Sequence, residues 1–209
     1  MRLESLRPLP GSDRLSAVFS DGKKLRLSRL LCAEYGLAAG TELTEEEYAA
    51  LCKAASAASA KERAVRILSA TNVSKKQLSR RLREKGETAE DTENAVAWLS
   101  ELELLDDRRT GEAIVRSALS KGYGEKRIRQ ILWEKEIPRE DAEALLAELP
   151  PMEETVDRLL RQKLRAGETD EKEIHRAVQA LLRMGHSWQD IREGLRRLDA
   201  GDEWEEDSF

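Results

Sequence analysis

The sequence predicts a mainly α-helical protein, built as a tandem array of three three-helix repeats that follows a small N-terminal extension with a β-hairpin. Three observations support this prediction. Charged residues make up 37% of the 209 residues and aromatic residues only 4%, a composition typical of solvent-exposed helices. Leucines and turn residues recur at a spacing of about 50 residues, as in helical repeat arrays. Residues 1–30 instead alternate apolar and polar side chains, as strands do.

The repeating unit is a pair of short helices joined by a turn, clearest at residues 74–99. Ser74 and Gln77 form the pattern of a capping box at the start of the first helix. Gly86 supplies the left-handed residue that ends this helix, and Thr88 caps the second.

The same positions return twice along the chain. Leu82 corresponds to Leu132 and then to Leu181. Gly86 corresponds to Gly185, whereas Glu136 stands at the intermediate position. Further pairs at the same two offsets are Leu78 with Ile128, Asp91 with Asp141 and Asp190, Val96 with Leu146 and Leu195, and Leu99 with Leu149 and Leu198. Because turn and acidic residues align together with the leucines, the repeat is more than a coincidence of composition.

The extension, residues 1–59, is predicted to begin with strands. Apolar residues alternate around 14–20 and 24–27, and Asp21-Gly22 between them is a turn signal typical of a hairpin. A further strand is possible around Leu3–Leu6. Ser28 is a candidate cap for a short helix that ends at Gly36.

A longer helix is predicted from the capping box at Thr44 to about Ala58. The run AASAASA at 54–60 is either a closely packed helix or a flexible joint, and the predicted boundary of the extension lies at 58–60.

The three repeats are predicted at 60–106, 107–150 and 151–199, followed by an acidic tail at 200–209. In the second repeat, Asp106 caps a helix through about Leu119, Gly122-Tyr123-Gly124 forms a break, and Pro138 lies in the first turn of the last helix. In the third, helices are predicted at 153–166, 170–184 and from Ser187 to Leu198, with a break at Gly167.

Charge and cysteine content indicate a cytoplasmic protein without a membrane span. The net charge of −5 equals the five carboxylates of the tail, so the rest of the chain is neutral overall. Cys32 and Cys52 lie far from any second Cys or His at the spacing of metal ligands, which favours two reduced thiols. No run of about 18 apolar residues is present, and the N-terminus lacks the apolar core of a signal peptide.

The sequence contains no motif of an active site, so an enzyme is the least favoured class and no cofactor or metal is expected. His175 and His186 are the only histidines. They are interpreted as a surface residue and a partly buried residue rather than as catalytic groups or metal ligands.

The informative charge is local and basic. On a helix, Lys76, Arg80 and Arg83 share the face opposite Leu78 and Leu82. These clusters are either solvated faces with local ion pairs or surfaces that contact phosphates or an acidic protein. The candidate partner-binding residues are Lys75, Lys76, Arg80, Arg81 and Arg83 in the first repeat, Lys121, Lys126, Arg127 and Arg129 in the second, and Arg158, Arg161, Lys163 and Arg165 in the third.

The tryptophans are assigned mainly to packing. Trp98, Trp133 and Trp188 are predicted to lie in the core or between repeats rather than to anchor a partner. Trp204 lies within the acidic tail, which is predicted to be disordered.

Several of these motifs resemble the RecX family, regulators of the RecA recombinase. The resemblance covers about residues 60–198 and, more loosely, the extension. The matching motifs are LREKG at 82–86, LLDD at 104–107, KGYG at 121–124 with Ile128, and Gly185 followed by Trp188, Asp190 and Ile191, together with Tyr35-Gly36-Leu37, Gly40 and Leu43-Thr44-Glu45 in the extension. Three positions depart from the family pattern, namely Thr110 in place of an aromatic residue, Glu136 in place of a Gly, and His186 in place of a Phe.

The resemblance implies a function. A RecX-like chain would be an elongated, curved monomer that lies along the RecA–single-stranded-DNA filament in bacterial homologous recombination, DNA repair and the SOS response. It would inhibit filament growth, ATP hydrolysis and strand exchange. Two alternatives remain open, which are direct DNA binding through the helix-turn-helix outline of each repeat and a generic helical scaffold.

Overall fold

The computed structural model describes residues 1–164 and 171–206, the last eight of these as helical backbone only. The chain divides into two compact units, Met1–Leu105 and Asp106–Phe209. Mainly helical structure with a small N-terminal sheet confirms the predicted fold class.

A three-stranded antiparallel sheet opens the first unit and confirms both the hairpin and the additional strand. The strands alternate as expected, with Ala17 and Phe19 buried on one face. Gly22 has φ +81° in the hairpin turn, a conformation that favours glycine. The strands are β1 (Leu3–Pro8), β2 (Arg14–Phe19) and β3 (Lys24–Ser28), in that order across the sheet.

Two capped helices follow the sheet, α1 (Arg29–Glu34) and α2 (Glu45–Ala70). Ser28 Oγ accepts a hydrogen bond from Leu31 N at 3.1 Å. The Thr44 capping box is complete, because Glu47 N donates to Thr44 Oγ1 at 3.1 Å and Glu47 Oε2 accepts from Thr44 N at 2.8 Å. Both predicted caps are confirmed.

Helix α2 is continuous through the AASAASA run, so the prediction that it ends near Ala58 was wrong. Alanine is the strongest helix former and neither Pro nor Gly interrupts the run. The helix serves two cores. Ala55 packs with the sheet, while Ala60 and Ala64 are fully buried in the next core.

The first three-helix unit combines the second half of α2 with α3 (Lys75–Glu84) and α4 (Ala89–Glu101). Leu78, Leu82 and Leu99 are fully buried in its core. Ser74 Oγ caps α3 by accepting from Gln77 N at 3.1 Å, and Gly86 ends the following turn with φ +87°.

The second three-helix unit consists of α5 (Asp107–Ser120), α6 (Glu125–Glu134) and α7 (Arg139–Ala147). Ile128 and Leu132 are fully buried, at the positions equivalent to Leu78 and Leu82. The Asp106 side chain caps α5 by accepting from Arg109 N at 3.1 Å, as predicted.

Glu136 adopts the left-handed conformation at the position that glycine occupies in the other two repeats. Its φ is +54°, against +87° at Gly86 and +90° at Gly185. The repeat geometry is therefore kept without the glycine, at a conformational cost for a residue with a β-carbon.

Replacing Glu136 by glycine is expected to raise the free energy of unfolding by about 1 kcal/mol, because glycine adopts this conformation without strain. Gln130→Gly, within helix α6, is the control and should lower it by about 1 kcal/mol. Urea denaturation followed by circular dichroism measures both changes. A loss of stability for Glu136→Gly would contradict the expectation.

The third three-helix unit consists of α8 (Glu153–Lys163), α9 (Glu171–Arg183) and α10 (Trp188–Glu206). The predicted break at Gly167 lies outside the described residues. Helix α10 continues past Leu198, so the predicted helix end and the predicted disorder of residues 200–206 were wrong. No proline stops it, and a single Gly201 costs a helix only about 1 kcal/mol. Residues 207–209 lie outside the described residues.

The second and third three-helix units are joined backbone to backbone at their turns. Gly124 N donates to Met184 O at 2.9 Å, and Lys126 N donates to Gly185 O at 3.1 Å. His186 is 1% exposed, and its Nε2 lies 2.9 Å from Gly122 O. His186 is therefore fully buried in this joint, rather than partly buried as predicted.

The predicted burial of the tryptophans was wrong at two of three positions. Trp133 is 78% exposed and Trp188 57% exposed. Trp98 packs partly against the core of the first three-helix unit, with Lys61 Nζ 5.1 Å from the ring centroid. Both exposed rings are on amphipathic helices whose other face holds core residues such as Leu132 and Ile191, so the core is filled without them.

Candidate partner-binding surface

Helix α3 presents the basic face that its spacing predicts. Lys75, Lys76, Arg80 and Arg83 are exposed and form what we call the α3 surface. Leu78 and Leu82 on the opposite side are fully buried. Arg81, the remaining candidate of this repeat, is only half exposed. The core thus fixes which cations of α3 face the solvent.

Two of the four cations of the α3 surface, Lys76 and Arg83, keep their positive charge available. Arg80 Nε lies 3.6 Å from Glu84 Oε1, an exposed pair of small energetic value. Within residues 1–164 and 171–198, no carboxylate lies within 4.0 Å of Lys76, Arg81 or Arg83. Such a surface attracts phosphates and carboxylates of a partner.

Two of the four predicted cations of the second repeat, Arg127 and Arg129, are engaged within the protein. Arg129 contacts Glu125 at 2.8 Å and Glu143 at 3.3 Å. The hydrogen bond to Glu125, followed by the one to Glu143, raises the pKa of Arg129 above its ordinary value. Arg129 is consequently a weaker candidate for contact with a partner than the sequence suggests.

Arg127 is also engaged, since it is half-buried and its Nη1 donates to Gln130 Oε1 at 2.9 Å. Its guanidinium lies 6.0 Å from the centroid of the Tyr123 ring. Lys121 and Lys126 remain exposed, the first as the C-cap of α5 and the second in the first turn of α6.

The candidates of the third repeat lie on the outer face of α8. Arg158, Arg161 and Lys163 are exposed, and the opposite face is buried through Val156, Leu159 and Leu160. Arg165 lies outside the described residues. This row of cations belongs to the second compact unit, and the α3 surface belongs to the first.

Sequence reasoning missed the exposure of Trp188 and of Trp133, the latter on the outer face of α6. The sequence did indicate that Trp133 is exposed. At helical spacing it shares a face with Lys126, Arg129 and Gln130. That face is opposite Ile128 and Leu132. The assignment of Trp133 to packing, together with Trp98 and Trp188, concealed this exposure.

The described residues contain no group of three or more His, Cys, Asp or Glu side chains placed to hold a metal ion. Across the same part of the chain, no helix combines the length and the apolar character that crossing a bilayer requires.

Tandem three-helix units with a cationic helix surface define a helical repeat protein of the helix-turn-helix type. A family model described as "RecX, second three-helix domain" matches residues 106–146. A regulatory protein RecX of Vibrio parahaemolyticus is 33% identical over 139 residues, which cover 66% of this chain and 90% of that relative. The corresponding protein of Vibrio campbellii is 32% identical over 139 residues, with the same coverage. A regulatory protein RecX of Salmonella paratyphi A is 39% identical over 97 residues, which cover 42% of this chain and 58% of that relative.

The chain belongs to the RecX family of regulatory proteins. Solved structures show the same fold. A crystal structure of regulatory protein RecX has a TM-score of 0.65 at 23% identity and covers 92% of this chain and 98% of its own. RecX from Lactobacillus salivarius has a TM-score of 0.64 at 22% identity and covers 70% of this chain and 99% of its own. The family predicted from the motifs is confirmed.

Proposed function

We propose that this chain regulates the RecA recombinase by binding along the RecA–single-stranded-DNA filament. In this role it inhibits filament growth, ATP hydrolysis and strand exchange, as a monomer without enzymatic activity or a cofactor. Membership in a family of regulatory proteins supports this proposal. The free thiols of Cys32 and Cys52 suit action in a reducing cytoplasm.

The observation that carries the proposal is the α3 surface. A nucleoprotein filament exposes phosphates and acidic side chains at regular intervals, and a surface with unpaired cations is complementary to them. Lys76 and Arg83 lie on this surface without an ion-pair partner in the described part of the chain. Further three-helix units offer additional contacts to the same polymer, so that weak individual contacts add up through multivalency.

Co-sedimentation with preformed filaments tests this proposal. Filaments of the host's RecA on single-stranded DNA are fixed with a slowly hydrolysed ATP analogue, and the chain is added before centrifugation. We expect it to pellet with filaments but to stay in solution with RecA alone. A chain that remains in the supernatant beside intact filaments would contradict the proposal.

Direct DNA binding is the second candidate, and the cations of Lys76 and Arg83 also favour it. If the phosphates of naked DNA are the main partner, the logarithm of the binding constant falls steeply with the logarithm of the salt concentration. Fluorescence anisotropy with labelled single-stranded and duplex DNA over a range of salt concentrations distinguishes the two. Tight, salt-sensitive binding to naked DNA and no preference for filaments would favour this second function.

A further inference from the structure

The second three-helix unit carries an open groove between α6 and α7, with a volume of about 580 Å³. We propose that this groove binds an acidic segment of a partner protein. One large apolar side chain of that segment enters the groove, and a carboxylate of the segment flanks this side chain. The groove shares no residue with the α3 surface, so the inference does not depend on the proposed function.

The apolar part of the groove is a wall and a floor. Trp133 forms the wall and is 78% exposed, an unusual exposure for the largest apolar side chain. Ile137 and Leu146 lie at the floor and are 7% and 8% exposed. Tryptophans in such pockets are among the residues that contribute most to protein–protein binding. The first repeat has Arg83 at the equivalent position, so this feature is particular to the second.

The rim of the groove is positively charged. Lys126, Arg129 and Arg139 line it, against a single carboxylate from Glu143. Arg129 and Arg139 approach Glu143 at 3.3 and 3.8 Å, while Lys126 has no carboxylate within 4.0 Å in the described residues. Because Glu125 also contacts Arg129, at 2.8 Å, a surplus of one positive charge remains, that of Lys126. This charge is complementary to a carboxylate next to the apolar side chain.

The same lining disfavours single-stranded nucleic acid. Bases stack on flat aromatic faces, and their phosphates require a continuous cationic track. Here the floor is aliphatic, and the exposed carboxylates of Glu125, Glu134 and Glu140 lie along the two helices that form the groove. These carboxylates interrupt the continuous cationic track that an extended polyanion requires, whereas a short peptide with a single carboxylate next to its apolar side chain needs only the charge of Lys126.

Binding of labelled acidic peptides to the full chain tests the inference. The probes are peptides that share one acidic sequence and differ only at the central residue, which is Leu, Phe or Trp. The same peptide with Ala at the centre is the control. We expect the peptide with the best apolar centre to bind at micromolar to submillimolar Kd, and Trp133→Ala to weaken it about tenfold or more. Trp188→Ala, which removes an exposed tryptophan on a different helix, should leave the affinity unchanged.

Lys126→Glu should weaken the same peptide and reduce the salt dependence of its binding. Because Trp133 and Lys126 are exposed, both variants should keep the circular dichroism spectrum of the parent chain. The inference is contradicted if no probe binds up to about 1 mM, if the Ala-centred peptide binds equally well, or if Trp133→Ala has no effect. Binding of oligo-deoxythymidylate that depends on Trp133, without peptide binding, would instead identify a nucleic-acid site.

Discussion

Alanine at Gly185 is expected to lower the free energy of unfolding by about 3 kcal/mol or more, the sum of backbone strain and overpacking. Gly185 has φ +90°, a conformation that strains any residue with a β-carbon. A β-carbon there would also lie 2.6 Å from Arg127 Cβ and 3.0 Å from Arg127 Cα, with Arg127 N closer still. These atoms belong to the start of α6 and cannot move without opening the joint between the second and third three-helix units.

Gly86 provides a matched control for this prediction. It occupies the equivalent turn of the first repeat with φ +87°, and a β-carbon there would meet nothing within 4 Å. Gly86→Ala therefore carries only the conformational cost of about 1–2 kcal/mol. Urea denaturation followed by circular dichroism measures the loss of unfolding free energy in both variants. The difference between the two losses is the packing contribution at Gly185. Equal losses would show that the joint does not depend on close backbone contact at Gly185.

Reversing two charges of the α3 surface is expected to weaken binding to RecA filaments more than tenfold. Lys76 and Arg83 suit this test best, because both are exposed and neither has a carboxylate within 4.0 Å in the described residues. An exposed ion pair contributes up to about 1 kcal/mol, and reversal replaces attraction by repulsion, so Lys76→Glu with Arg83→Glu should cost about 2 kcal/mol or more. Co-sedimentation over a range of protein concentrations measures the change in affinity.

Arg66→Glu with Arg116→Glu is the control with the same change in net charge. Both side chains are exposed, and they lie on α2 and α5 rather than on α3. We expect this variant to bind filaments within about twofold of the parent, apart from a general electrostatic effect that salt screens. Equal losses in the two variants would mean that net charge, not the α3 surface, determines binding.

Local signals in the sequence predict the elements of this fold well. Helix starts at Ser28, Thr44, Ser74 and Thr88 follow from the hydrogen bond that a side-chain oxygen offers to a free N–H group. The α3 surface follows in the same way, because the spacing of Leu78 and Leu82 determines which residues point outwards.

Long-range relations are what the sequence could not predict. His186 meets Gly122 across 64 positions, and Arg129 pairs with Glu143 across 14, so neither contact has a local signature. Trp133 was assigned to packing because an aromatic ring suits a core as well as a binding groove, and only its exposure distinguishes the two. The end of α10 was misjudged because acidic residues near a chain terminus are common both in helices and in disordered tails.

Single-stranded-DNA-dependent ATP hydrolysis by the host's RecA, with this chain titrated in, tests the central claim most directly. A regulator that acts on filaments should reduce the hydrolysis rate strongly at far fewer copies than RecA subunits, and the Lys76→Glu/Arg83→Glu variant should require more than ten times the concentration. An unchanged rate at one copy per RecA subunit would contradict the account and would favour direct DNA binding or another protein partner.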